Sequence, residues 1–177
     1  MNLPPGALRY LLIGQAIIPF FINIAVNVIL GGLTFWGQES VATWAIDKGA
    51  AADSIGTCFF LPFITCLIAT PIVRRQVAHG VASRIPPTDT PRWARMMSGP
   101  VLLRATKFGL VGILLLAGPV YASYVLFAGE SIETLRFIAI KALFAGVFGI
   151  FATPLIALVA MCDQSANPQP GVKQSSR

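Results

Sequence analysis

Residues 10–36 read YLLIGQAIIPFFINIAVNVILGGLTFW, a run of 27 positions without one Asp, Glu, Lys or Arg. A helix needs about 20 apolar residues to cross a hydrocarbon core roughly 30 Å thick. This run is long enough to do so. It is also longer than the apolar core of a secretory leader, roughly 7–15 residues, and no small-residue cleavage pattern follows it. The reading is an uncleaved first span.

Working outward, three more apolar runs follow at residues 55–73, 108–128 and 137–162. The whole chain has the matching composition: 177 residues, 55% hydrophobic and 11% charged. An ordinary soluble domain is about 25% charged. Disordered chains, coiled coils and soluble domains are excluded, and the expected fold is an all-α integral membrane bundle of four helices. Residues 163–177 read as a disordered polar tail.

The charges sort between the runs. Residues 74–107 hold seven basic side chains (Arg74, Arg75, Arg84, Arg92, Arg95, Arg104, Lys107) and one acid, Asp89. The other two connections hold Glu39, Asp47 and Asp53, and Glu130 and Glu133. Lys and Arg concentrate on the cytoplasmic side of a membrane. The expected topology places the basic loop and both termini, with Arg9, Lys173 and Arg177, in the cytoplasm of an inner-membrane protein. The net charge of +6 is read as topology charge, with no nucleic-acid partner. Trp36, Trp44 and Trp93 sit where interfacial anchors are expected. Within the basic loop, residues 91–104 suggest a surface helix, broken at Gly99-Pro100, whose Arg92, Arg95 and Arg104 would meet anionic lipid headgroups. A plain solvated topology loop is the alternative.

The two halves resemble each other. Arg9-Tyr10-Leu11-Leu12-Ile13-Gly14 matches Lys107-Phe108-Gly109-Leu110-Val111-Gly112. Gly37-Gln38-Glu39-Ser40 matches Gly129-Glu130-Ser131, and Ala69-Thr70-Pro71-Ile72 matches Ala152-Thr153-Pro154-Leu155. The expectation is two parallel-repeat hairpins, related by an axis along the membrane normal. Short apolar matches also arise by chance, so the repeat and coincidence both stay open.

Polar residues inside the runs are few. Gln15, Asn23 and Asn27 fall within a roughly 120° arc, because each step of four advances a helix about 40°. With Thr70 and Thr153 they form either a polar path or hydrogen-bonding glue between helices. Pro19, Pro62, Pro71, Pro119 and Pro154 mark kinks; the Thr-Pro pairs have a local explanation, a hydroxyl bonded one turn back. Lys141 is the one charge inside a run. The 21 residues after it already span about 31 Å, which moves Lys141 to the outer boundary, snorkelling to headgroups. Its alternative is an inward lysine that contacts an anion or substrate, with Glu130 or Glu133 as partner.

No residue pattern supplies a metal site, cofactor or catalytic group. Cys58, Cys66 and Cys162 are spaced too far apart to pair, and His79 has no ligating neighbours. No Asp or Glu falls in an expected span, which disfavours a proton-coupled carrier. The function expected is non-enzymatic: an accessory or assembly subunit, or a homo-oligomer, acting through helix contacts. A small oligomeric permease or channel with a path on the first helix is the alternative. An anionic-lipid-interacting protein comes third.

Overall fold

A computed structural model describes residues 6–163. The expected tail, apart from Asp163, lies outside the described residues. Four helices are long and apolar enough to cross a membrane: α1 (Ala7–Thr34), α2 (Ala50–Ala78), α4 (Val101–Phe127) and α5 (Thr134–Met161). They fit a multi-pass membrane protein. In hydrocarbon each backbone N–H and C=O must be satisfied within its own segment, and these sequences meet that demand as helix. A short α3 (Arg92–Met97) lies between α2 and α4. The helices run past the apolar stretches: Arg74 and Arg75 belong to α2, and Arg104 and Lys107 to α4. Charge ends an apolar run but does not end a helix.

The expected break at Gly99-Pro100 is present. Gly99 has φ 135°, and α4 starts at the next residue after Pro100. The interior prolines Pro62, Pro71, Pro119 and Pro154 lie within continuous helices. In α1 the segment Tyr10–Ile17, just before Pro19, is wound as a π-helix.

One short sheet accompanies the helical bundle. The two acidic connections carry strands β1 (Ser40–Ala42) and β2 (Ser131–Glu133), paired antiparallel as Ser40↔Glu133, Val41↔Ile132 and Ala42↔Ser131. Two flanking bonds extend the pair: Thr43 N–H donates to Glu130 O at 2.9 Å, and Thr134 N–H donates to Glu39 O at 3.1 Å. Strands of three residues are too short for an alternating pattern to announce them.

This sheet marks one end of the bundle and the basic loop marks the other. Along the bundle, α1 packs on α5, α5 on α2, and α2 on α4. The two helices of each hairpin, α1 with α2 and α4 with α5, make few backbone approaches to one another, so each hairpin is splayed and receives a helix of the other. Glycine makes the close approaches. A Cβ at Gly112 of α4 would lie 2.2 Å from Cys58 O of α2. A Cβ at Gly149 of α5 would lie 2.2 Å from Asn23 Nδ2 of α1. Two apolar clusters close the ends. Phe35, Val41, Ala50, Phe137 and Ile138 cluster beneath the sheet, while Val73, Ile85, Ala105, Phe108 and Met161 belong to the cluster at the loop end.

Candidate functional site

The splayed hairpin of α1 and α2 leaves a cleft of about 530 Å³ in its sheet-side half. Asn23 and Asn27 reach it from α1, Asp53 and Thr57 from α2, Lys48 from the turn before α2, and Lys141 from α5. Val26, Leu30, Phe60 and Ile64 supply apolar wall. Its size falls in the range of small-molecule sites, about 300–1,000 Å³.

Lys141 corrects the sequence reading in two ways. It is 8% exposed and buried among helices, so it does not snorkel to headgroups. Its partner is neither Glu130 nor Glu133. Lys141 Nζ lies 2.5 Å from Asp53 Oδ2, in an ion contact without the angles of a hydrogen bond. Asp53 stands not in a connection but in the first turn of α2, where a carboxylate also complements the helix N-terminus. An acid expected in a connection thus pairs, between α2 and α5, with a lysine expected at the outer boundary of the last span.

A second cleft of about 390 Å³ lies between the sheet-side halves of α4 and α5. Lys141 lines it too, together with Ser54, Tyr124, Glu133 and Arg136. Ser54 Oγ and Tyr124 OH are 2.8 Å apart and join α2 to α4.

The expected polar face of α1 is divided. Asn27 Nδ2 donates to Asn23 O at 2.9 Å, and both open into the first cleft. Gln15 is elsewhere: its Nε2 donates to Tyr10 OH at 2.9 Å, and Tyr10 OH donates to Gln76 Oε1 of α2. Gln15 and Tyr10 are five residues apart, the spacing that a π turn stacks. Thr70 and Thr153 are fully or nearly buried. Thr70 Oγ1 is 3.5 Å from Cys66 Sγ, and Thr153 Oγ1 has no hydrogen-bond partner. Neither threonine, nor Gln15, lines either cleft.

At the loop end, Arg104 corrects the headgroup assignment. It is 0% exposed, and its Nη2 donates to Asp163 Oδ2 at 2.6 Å. Arg74 Nε donates to the same oxygen at 2.9 Å. One carboxylate after α5 therefore fastens the ends of α2 and α4. Burial works to raise the Asp163 pKa, but the hydrogen bonds and charges of Arg104 and Arg74 outweigh it and hold the carboxyl below its ordinary value. Asp163, the first residue of the expected tail, is thus bound to the bundle. The sequence signal was its isolation as an acid immediately after a span whose neighbours end in arginines. Arg92 and Arg95 are exposed on α3. Among the described residues no group of three His, Cys, Asp or Glu is placed to hold a metal ion.

The chain matches no protein-family model, and comparison with curated proteins and with solved structures gives no match.

Proposed function

We propose that this chain is a multi-pass inner-membrane protein without catalytic activity, which acts through helix contacts as a homo-oligomer or as a subunit of a larger membrane assembly. The observation that carries this reading is how the interior polar side chains are used. Tyr10–Gln76 joins α1 to α2, Ser54–Tyr124 joins α2 to α4, and Asp53–Lys141 joins α2 to α5. Each set links helices, and none pairs a nucleophile with a base in the way acid–base or covalent catalysis requires. The outermost helix α4 has only 6% of its most apolar window buried within the chain, which leaves most of its surface for lipid or a partner helix. The test is a mass determination of the full chain in lipid nanodiscs.

Both termini and the basic loop face the cytoplasm in this proposal, on the strength of seven basic residues at 74–107. Labelling of single cysteines from either side of sealed vesicles tests it, with one at residue 47 and one at residue 84.

The halves are further proposed to be parallel repeats. Glu39-Ser40-Val41-Ala42-Thr43 and Glu130-Ser131-Ile132-Glu133-Thr134 align at an offset of 91 residues. Exchanging the halves at that offset interchanges Ser40↔Glu133 and Ala42↔Ser131, maps Val41↔Ile132 onto itself, and turns Thr43 N–H to Glu130 O into Thr134 N–H to Glu39 O. A two-fold axis through the sheet, along the membrane normal, has that property. The interleaved packing, α1 on α5 and α4 on α2, has it as well.

The permease reading draws support from Asn23, Asn27 and Lys141 sharing one cleft. It is weakened by Gln15, Thr70 and Thr153 lying outside it. The lipid-headgroup reading of the basic loop now rests on Arg92 and Arg95.

A further inference from the structure

We propose that the cleft between α1 and α2 binds an anionic phospholipid, with its phosphate at Lys48 and Lys141 and an acyl chain against Phe60 and Ile64. The proposal rests on the membrane reading above but is independent of whether the protein forms an oligomer.

Three features of the cleft point to this ligand. The first is its graded chemistry. The walls contributed by Val26, Leu30, Phe60 and Ile64 are apolar, whereas Lys48, Asp53 and Lys141 gather at the sheet end. A ligand with a polar head and an apolar chain matches that gradient, and the lipid surrounding such a protein is the abundant source of one.

The second feature is charge. Two lysines and one aspartate line the cleft, leaving one positive charge for an anionic head. Lys141 is held by Asp53 at 2.5 Å, yet an ammonium carries three donors. The contact to one carboxylate oxygen leaves donors for a phosphate oxygen.

The third is the backbone at Lys48. Its φ is 55°, the one positive value among described residues other than glycine. The left-handed region crowds the Cβ of an ordinary residue and costs glycine essentially nothing. A lysine in a place where glycine fits better puts a cation at the mouth of the cleft, immediately before α2.

The test uses the full chain, reconstituted with equal amounts of phosphatidylglycerol and phosphatidylcholine, extracted in mild detergent, and examined by native mass spectrometry for retained lipid. The wild type is expected to retain phosphatidylglycerol in preference to phosphatidylcholine. Lys48→Gly relieves the backbone and removes the charge. It should leave folding intact and lower phosphatidylglycerol retention about fivefold, the worth of one basic residue near an anionic surface. Ala52→Phe, at an exposed position lining the cleft, should expel both lipids by filling the space. Should Ala52→Phe fail to fold, as judged by gel filtration, Lys48→Gly decides alone. Equal retention of the two lipids by the wild type, or unchanged phosphatidylglycerol retention in Lys48→Gly, overturns the proposal. Displacement by excess inorganic phosphate would show an anion site that reads no lipid, and overturns it too. A chain absent from the membrane fraction would instead refute the membrane reading.

Discussion

Lys141 of α5 and Asp53 of α2 stand 88 positions apart in sequence and 2.5 Å apart in space. Lys141 keeps 8% of its side-chain exposure and Asp53 keeps 26%. Two charges taken this far from water stabilise a fold only as a pair, since either alone is left uncompensated. Lys141→Met or Asp53→Asn should therefore destabilise the protein by on the order of 2 kcal/mol, less than a fully buried pair because Asp53 remains partly exposed. The double variant should be more stable than the sum of the two losses implies. Denaturant unfolding in detergent micelles gives the cycle, and strictly additive losses would show that the pair is not coupled.

The loop end should respond to acid. The Asp163 carboxyl is held below its ordinary value of 3.8, so its contribution is present above that value and is lost as pH falls through the lowered one. Stability should stay level from neutral pH down to about pH 5 and fall below about pH 4. Asp163→Asn should be less stable at pH 7 and show a shallower acid limb. An identical acid limb in wild type and variant would remove Asp163 as its source.

Glycine positions divide by what they face. A Cβ at Gly112 meets Cys58 O, a backbone atom that cannot move without α2. Gly112→Ala should cost about 1–3 kcal/mol, the range for overpacking. Gly118, on the same helix, has nothing within 4 Å of an added Cβ. Gly118→Ala should be neutral or stabilising by up to about 1 kcal/mol, the helix preference of alanine over glycine. Thermal unfolding of the two variants tests the α2–α4 contact, and equal effects would deny it.

The two threonines flanking the strands should behave oppositely despite their equivalent backbone bonds. Thr43 Oγ1 donates to Gly129 O at 2.6 Å, while Thr134 Oγ1 is buried without a hydrogen-bond partner. Thr43→Val leaves a shape-matched side chain and an unserved carbonyl, and should cost about 1 kcal/mol. Thr134→Val removes an unsatisfied hydroxyl and should be neutral or stabilising. A loss at Thr134 as large as at Thr43 would contradict the hydrogen-bond assignment.

The four spans were legible because crossing hydrocarbon imposes a length on an apolar run, and residues 10–36, 55–73, 108–128 and 137–162 display that length without help from distant sequence. The stop at Gly99-Pro100 was legible for a local reason too. Partners were not. Arg104 lies in a strongly basic stretch, and nothing near it in sequence reveals that Asp163, 59 residues on, buries it. Asp53 stood two positions before the second apolar run and was counted as connection, because hydropathy marks the run and not the first helical turn. The faint likeness of the halves pointed to hairpins, but adjacency in sequence did not predict that each hairpin would open to admit a helix of the other. Gln15, Asn23 and Asn27 share an arc on an ideal helix, yet the π-wound segment and the short reach of each side chain assign them different neighbours.

The chain is proposed to work through helix contacts with other membrane polypeptides, itself or another. The most direct measurement is the mass of the full-length protein, captured with its native membrane in polymer nanodiscs without detergent, after subtraction of lipid. A protein mass above one copy of the chain, with stoichiometry unchanged on dilution, is the expected result. A single copy of the chain, with no other polypeptide in the particle, would contradict it.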